Sequence, residues 1–207
     1  DIYCNEIDGH PIKNWKPASQ YMATKKISFG SNTVWALSAS GKPYCAALPG
    51  NQPCEVSNGW SDKSDPNIKI VDIAATMSMV WGIDDQNNVY YRNHSGSKPW
   101  TKVPGELTSI TADVNSVWGF NPQGEIVRMS AQRKSGWEVI KNPYKIIKLS
   151  AGNEEVWGIT EDNKVYRMSD SGFGEWQYVN EGFKDVSVGV DYAWLLDVDG
   201  YPWKYEM

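Results

Sequence analysis

The sequence predicts an all-β fold, a β-propeller of four-stranded blades, from three observations. A short apolar motif centred on tryptophan recurs along the 207 residues. A turn residue and then an aromatic or apolar residue follow each copy of the motif at fixed distances. No segment has a sustained helical period of apolar residues. A unit of about 38 residues cannot bury both of its faces alone, so stacking the units around an axis is the expected solution.

Each repeat is predicted to form four short strands, the first of which is a β-rich run upstream of the motif. The second strand carries the motif tryptophan, and its five copies are Trp35, Trp81, Trp118, Trp157 and Trp194. Six residues later comes a turn residue that tolerates positive φ, namely Gly41, Asn87, Gly124, Asn163 and Gly200. The third strand carries the residue three positions further on, namely Tyr44, Tyr90, Val127, Tyr166 and Trp203. A fourth strand is predicted around a second tryptophan, namely Trp60, Trp100, Trp137 and Trp176.

The number of blades depends on the N-terminus. Residues 8–11 resemble the turn of residues 199–202, which favours a sixth repeat, whereas Trp15 lies as far before Trp35 as Trp137 lies before Trp157, which is typical of a fourth strand. We expect residues 1–207 to form a single propeller domain with six blades, five being the alternative. We also expect N-terminal and C-terminal strands to close the ring, because closure removes exposed sheet edges.

Composition excludes several classes of partner. The net charge is −5, which argues against nucleic acid, because phosphate contacts need clustered Lys and Arg. No run of 18 apolar residues is present, so we expect no membrane-spanning segment. The two histidines and three cysteines lack the spacing of metal ligands, and we expect neither a metal nor a cofactor.

The cysteines predict a disulfide between Cys45 and Cys54, which share one loop, and leave Cys4 as a free thiol or as a covalent link to a partner chain. Three unpaired thiols in a cytosolic protein are the alternative. One glycosylation sequon, Asn93-His94-Ser95, agrees with a secreted, extracellular protein.

The repeat resembles that of the tectonin family, which includes tachylectin-1 and the fish egg lectins. The fourth unit carries the resemblance best, with Val156-Trp157-Gly158-Ile159, then 163–167, then Trp176 and 182–186. Ala36 and Leu195 replace the motif glycine in the first and last units, and a longer loop spans residues 46–59. The resemblance implies a six-bladed, secreted, non-enzymatic lectin whose ligands include bacterial lipopolysaccharide and O-methylated glycans.

Candidate ligand-binding residues are those that suit a sugar, which offers an apolar face and a hydroxyl rim. The second-strand candidates are Trp81, Trp118, Trp157 and Trp194, for which packing between blades is the strong alternative. The fourth-strand candidates are Trp100, Trp137 and Trp176. Arg128 and Arg167 could hold an acidic sugar, with cation–π packing on a neighbouring tryptophan as the alternative.

No catalytic constellation stands out, because neither histidine lies near a nucleophile motif and most acidic residues fall in turns. We therefore expect a multivalent lectin that recognises glycans on bacterial cell surfaces at repeated sites between blades, in innate defence. Weak equivalent sites on one rigid ring gain affinity together. The alternative is a protein-interaction or targeting subunit of a larger assembly, disulfide-linked through Cys4.

Overall fold

The structure is a computed structural model that describes residues 3–4, 16–17, 23–30, 32–48, 57–94, 99–132 and 136–207. The regular secondary structure of these residues consists of β-strands. They form antiparallel sheets that define the predicted β-propeller fold. Five sheets follow one another along the chain, and each is a blade numbered in chain order below.

The strands keep the predicted order within each blade. Blade 1 contains β3 (Thr24–Phe29), β4 (Thr33–Ser38), β5 (Pro43–Ala47) and β6 (Ser57–Asp62). Blade 2 contains β7 (Ile70–Ala75), β8 (Met79–Asp84), β9 (Asn88–Asn93) and β10 (Thr101–Glu106). Blade 3 contains β11 (Ser109–Ala112), β12 (Ser116–Phe120), β13 (Ile126–Ser130) and β14 (Glu138–Val139). Blade 4 contains β15 (Ile146–Gly152), β16 (Glu155–Thr160), β17 (Lys164–Ser169) and β18 (Gln177–Glu181). Blade 5 contains β19 (Phe183–Val188), β20 (Tyr192–Asp197) and β21 (Pro202–Glu206).

The described residues form five blades, so the expectation of six is corrected. The described N-terminal residues form only a two-stranded pair, β1 (Tyr3–Cys4) with β2 (Lys16–Pro17), which corresponds to the spare strands that a five-bladed arrangement leaves over. Blade 5 has three strands in the described part of the chain. Completion of this blade by an N-terminal strand stays a prediction.

The chain divides into two compact units, Asp1–Val103 and Pro104–Met207. The first unit holds blade 1 and most of blade 2, and the second holds blades 3 to 5, with the boundary inside β10. Each unit has its own apolar core, built in the first around Trp35 and in the second around Trp118 and Trp157. That residues 1–207 form one domain stays a prediction.

The predicted turns between the second and third strands are confirmed. All five turn residues have positive φ, with 79° at Gly41, 68° at Asn87, 80° at Gly124, 61° at Asn163 and 95° at Gly200. A short polar side chain at the end of the second strand closes each turn, as Asp84 does when its Oδ1 accepts the backbone N–H groups of Gln86 and Asn88 at 2.9 and 2.8 Å. Positive φ and a local side-chain acceptor are what a tight hairpin needs.

The glycine after the motif tryptophan permits a close approach between strands. A Cβ atom at Gly119 would lie 2.3 Å from the carbonyl oxygen of Ser109 and 3.0 Å from Cδ1 of Leu107. Real atoms do not approach so closely, so a side chain here would push β11 and β12 apart.

Neighbouring blades are joined by a hydroxyl group on the first strand, a feature that the sequence analysis missed. The backbone N–H of Val188 in β19 donates to Ser150 Oγ in β15 at 3.0 Å. The same arrangement joins Ala151 to Thr111 at 3.0 Å and, in the first unit, Ala75 to Ser28 at 2.7 Å. These bonds fix the position of one first strand beside the next.

Replacing Ser150 with Ala should lower the free energy of unfolding by about 1 kcal/mol, because the partly buried N–H of Val188 loses its acceptor. Urea unfolding followed by tryptophan fluorescence measures this change. Ser187→Ala is the matched control, since Ser187 occupies the equivalent position of β19 and is exposed. Equal losses in the two variants would contradict a linking role for the Ser150 hydroxyl.

Gly119→Ala should destabilise the protein by about 1–3 kcal/mol, because its methyl group overlaps the Ser109 carbonyl. Gly136→Ala serves as the control, since no atom lies within 4 Å of the added methyl group, and it should stay within about 0.5 kcal/mol of the parent. Thermal and urea unfolding of both variants check the difference, and a neutral Gly119→Ala would refute the steric account.

Candidate functional site

The motif tryptophans of blades 1 to 4 lie in the core. The side chains of Trp35, Trp81, Trp118 and Trp157 are each 0% exposed. A ring enclosed on both faces cannot stack on a sugar, so the structure gives Trp81, Trp118 and Trp157 the packing role that the sequence offered as the alternative. Trp194 of blade 5 is half-buried, and its part in ligand binding stays a prediction.

The two predicted arginines cover these tryptophan rings. The guanidinium carbon of Arg128 lies 5.8 Å from the ring centroid of Trp118, and that of Arg167 lies 5.8 Å from Trp157. Both guanidinium groups also interact with oxygen atoms of the protein. Arg128 Nε donates to the backbone oxygen of Asp170 at 2.5 Å, and Arg167 Nη1 lies 3.5 Å from a carboxylate oxygen of Glu155. The cation–π alternative is therefore what the structure shows.

Local acceptors satisfy the indole N–H groups of Trp118 and Trp157 in the second unit. Trp118 Nε1 donates to Ser116 Oγ at 2.7 Å, and this hydroxyl donates to Asp170 Oδ2 at 3.0 Å. Asp170 is buried, and burial raises the pKa of its carboxyl group. Trp157 Nε1 donates to Glu155 Oε2 at 2.8 Å. These hydrogen bonds hold each indole ring in one orientation.

A histidine plays the same part in the first unit. Trp35 Nε1 donates to His94 Nδ1 at 2.8 Å, and His94 Nε2 lies 2.7 Å from the backbone oxygen of Thr76. Since Nδ1 accepts, the ring proton must be on Nε2, which donates to Thr76. Both ring nitrogens are thus used by the neutral tautomer, and burial lowers the pKa of His94.

The fourth-strand tryptophans are placed just before their strands in blades 2 to 4, and two of them are buried. Trp100 and Trp176 are each 6% exposed, and Trp100 Nε1 donates to the backbone oxygen of Lys63 at 3.0 Å. Trp137 is half-buried, and its Nε1 donates to the backbone oxygen of Pro104 at 2.9 Å. Of these three candidates, Trp137 is the one that stays partly exposed.

An open cleft of about 500 Å³ lies in blade 4, beside the turn between β16 and β17. The residues that line it are Pro143, Tyr144, Lys145, Thr160, Glu161, Asp162, Lys164 and Tyr166. This combination of aromatic rings with hydroxyl, ammonium and carboxylate groups suits a ligand that is apolar on one face and polar at its rim.

Two tyrosines, Tyr144 and Tyr166, line the cleft, and a third, Tyr178, packs against Tyr166. The rings of Tyr144 and Tyr166 stack with centroids 3.9 Å apart and planes 21° apart, and Tyr178 meets Tyr166 edge-on at 5.7 Å. Tyr166 is buried by these contacts, whereas Tyr144 is 36% exposed. The N–H of Tyr144 donates to Asn142 Oδ1 at 3.1 Å, which holds the loop that carries the ring.

The charged groups of the cleft are paired with one another. Lys145 Nζ lies 2.5 Å from Glu161 Oε2, and Lys164 Nζ lies 2.7 Å from Asp162 Oδ2. The hydroxyl of Thr160 donates to Asp162 Oδ1 at 2.6 Å. Hydrogen bonds from Lys164 and Thr160 hold the pKa of Asp162 below its usual value, so this carboxylate is ionised at neutral pH.

The sequence analysis used Tyr166 only as a repeat marker and passed over Tyr144 and Tyr178. The residue equivalent to Tyr166 in blade 2, Tyr90, has a different role. Tyr90 is buried, and its hydroxyl donates to Asp84 Oδ2 at 3.0 Å, a contact that with burial raises the pKa of Tyr90 to about 12. An aromatic side chain beside a polar turn was the sequence signal that could have identified the cleft, but the candidates were chosen among the tryptophans.

Blade 5 presents a second group of exposed aromatic rings. Trp203, the equivalent of Tyr166, is 57% exposed, and its Nε1 donates to Asp197 Oδ2 at 2.8 Å. Tyr201 beside it is 67% exposed. The repeat position that holds a buried ring in blade 4, Tyr166, therefore holds an accessible ring in blade 5, Trp203.

Of the three cysteines, the structure describes the side chain of Cys45. Cys45 is buried in β5, and burial raises the pKa of its thiol. Cys54 lies outside the described residues, so its pairing with Cys45 stays a prediction. Cys4 lies in β1, but its side chain is not among those described, and a covalent partner at Cys4 also stays a prediction.

Five antiparallel sheets that repeat one tryptophan and one turn define the class of the protein, a β-propeller. Comparison with models of known protein families finds no match. A stretch of 69 residues, 33% of the chain, is 30% identical to Tectonin-1 of Physarum polycephalum and covers 30% of that protein. The chain thus matches less than a third of this relative, which supports a propeller family and not a particular lectin family.

Solved structures share the fold at low identity. Prp20p of Saccharomyces cerevisiae matches 88% of this chain and 58% of its own, with a TM-score of 0.69 and 11% identity. The ectodomain of the receptor kinase CR4 of Physcomitrella patens matches 91% of this chain and 53% of its own (0.63, 16%), and YCF48 of Cyanidioschyzon merolae matches 93% and 70% (0.59, 14%). The chain spans a little over half the length of the first two.

No helix in the described part of the chain is long and apolar enough to cross a membrane.

The stability of the first unit should depend on the protonation of His94. Because the folded pKa lies below the ordinary 6.5, the neutral ring contributes fully above about pH 6.5, and its contribution is lost as the pH falls through the folded value. His94→Gln should flatten the fall in unfolding free energy between about pH 7 and pH 5. Urea unfolding of both proteins across this range measures the difference, and identical pH profiles would contradict it.

Proposed function

We propose that the protein is a carbohydrate-binding lectin and that the cleft of blade 4 is one of its binding sites. The observation that carries the proposal is the partly exposed Tyr144 ring, stacked on Tyr166 and bordered by the Thr160, Asp162 and Lys164 groups. The ring suits the C–H face of a sugar, and the polar groups suit its hydroxyls.

The similarity to Tectonin-1 supports the same proposal, since the repeat resembles a family of sugar-binding propellers. Lipopolysaccharide-type and O-methylated glycans are the ligand classes that this resemblance suggests. The proposal includes binding without catalysis by a secreted protein that recognises microbial surfaces.

The exposed rings of blade 5 extend the proposal to more than one site. Trp203 occupies the position of Tyr166, and Asp197 fixes its orientation through the indole N–H. Two weak sites on one chain bind a glycan-covered surface more tightly than either binds alone, because the second contact is intramolecular. This accounts for multivalent recognition without identical sites on every blade.

A protein-interaction or targeting subunit is the second candidate. It is favoured by the solved structures of similar fold, which include yeast RCC1 (Prp20) with Kap60 bound and YCF48 bound to a D1 peptide. The mass of the protein purified from its source with and without reductant tests a link through Cys4. A partner released by reductant would favour this candidate, and a lone chain would favour the free lectin.

Tyr144→Ala should weaken glycan binding about tenfold, because it removes the stacking face of the cleft. A glycan array that includes methylated and bacterial sugars identifies a ligand for the parent protein, and isothermal titration calorimetry then measures its affinity for both proteins. Phe173→Ala is the matched control, since Phe173 is 81% exposed and does not line the cleft. A folded parent protein that binds no glycan, or a Tyr144→Ala variant of unchanged affinity, would contradict the proposed site.

A further inference from the structure

We infer that the cleft of blade 4 selects uncharged glycans over acidic ones. This inference rests on the proposed function and concerns the chemical class of the ligand. It follows from how the charges of the cleft are arranged.

Each ammonium group of the cleft already has an anionic partner. Lys145 is paired with Glu161 at 2.5 Å, and Lys164 is paired with Asp162 at 2.7 Å. Lys164 also lies opposite Glu181 in the register of β17 and β18, which adds a further negative charge nearby. The eight lining residues therefore carry two positive and two negative side chains and no net charge.

An acidic sugar gains little from such a site. To reach either ammonium group, its carboxylate or phosphate must displace or approach a protein carboxylate, and like charges at that distance repel. The lining residues include no arginine, and the arginines first considered for acidic ligands, Arg128 and Arg167, lie against tryptophan rings instead.

A neutral sugar suits the same groups. Hydroxyls both donate and accept, so one sugar hydroxyl can donate to a carboxylate oxygen while another accepts from an ammonium group. Neither interaction requires an ion pair to break. Hydrogen bonds to charged partners are also stronger than those between neutral groups, which favours the hydroxyl-rich rim of an uncharged glycan.

The experiment compares matched glycans. An array carries neutral oligosaccharides next to counterparts of the same linkage that bear a uronate carboxylate or a sulfate, and the protein of residues 1–207 is applied at low and high salt. We expect the neutral members to bind more strongly, with an affinity that is nearly independent of salt. Stronger binding of the acidic members, falling steeply with salt, would overturn the inference and leave the proposed function standing.

Variants of the ion pair sharpen the result. Glu161→Gln leaves Lys145 unpaired and should raise binding of the acidic members about two- to fivefold relative to the neutral ones. Glu175→Gln is the matched control, since it removes an exposed glutamate outside the cleft, and it should change neither class. An unchanged ratio in Glu161→Gln would contradict the inference. Absence of binding to every glycan by the folded parent protein would instead remove the proposed function.

Discussion

The fold depends on burying the motif indole ring, which is 0% exposed in blades 1 to 4. Trp157 shows the full arrangement. Its ring meets Tyr205 of blade 5 edge-on at 5.2 Å, Arg167 covers it, and Glu155 accepts its N–H. A buried indole contributes a large apolar area, but an unpaired N–H would offset part of that gain. The serine, glutamate and histidine acceptors follow from this constraint, and so does the cation above the ring.

The sequence predicted the parts of the molecule that repeat. The position and the positive φ of all five turn residues follow from Gly and Asn at fixed distances from the tryptophan, because few other residues adopt that backbone without strain. The sequence also showed the motif glycine. The physical reason for it, the close approach of the Ser109 carbonyl to Gly119, is known only from the structure. The blade count was wrong because the N-terminal half-repeat matched two registers.

The burial of the motif tryptophans could not be settled from the pattern. A strand with one solvated face alternates apolar and polar residues, but the second strands of blades 1 to 4 are covered on both faces. From Val156 to Thr160 every side chain of β16 is buried, as is every side chain from Val80 to Asp84 in β8. Such strands carry no alternation that would mark a ligand face. The candidate cleft was missed for a related reason, since Tyr144 and Tyr178 lie outside the repeated motif.

Repeat positions that hold the same residue in every blade stabilise the fold. Repeat positions that hold different residues can acquire a role in ligand binding. The residue that is Tyr166 in blade 4 is Val127 in blade 3, Tyr90 in blade 2 and Trp203 in blade 5. Tyr90 is held by Asp84, whereas Tyr166 supports the exposed ring of Tyr144. The same backbone position thus closes a turn in one blade and builds a cleft in another.

The turn also explains why the cleft is electrically balanced. Asp162 and Lys164 flank Asn163, whose positive φ tightens the hairpin, and Thr160 bonds both the Asp162 side chain and the Lys164 backbone N–H. The Asp162–Lys164 pair therefore lies within the turn itself. The second pair differs, because the backbone N–H of Glu161 already bonds the Lys145 carbonyl at 3.0 Å and its carboxylate adds only an exposed ion pair. Thr160 thus ties the Asp162 carboxylate to the turn, whereas Glu161 is the position at which the charge preference of the cleft can change with no turn hydrogen bond lost.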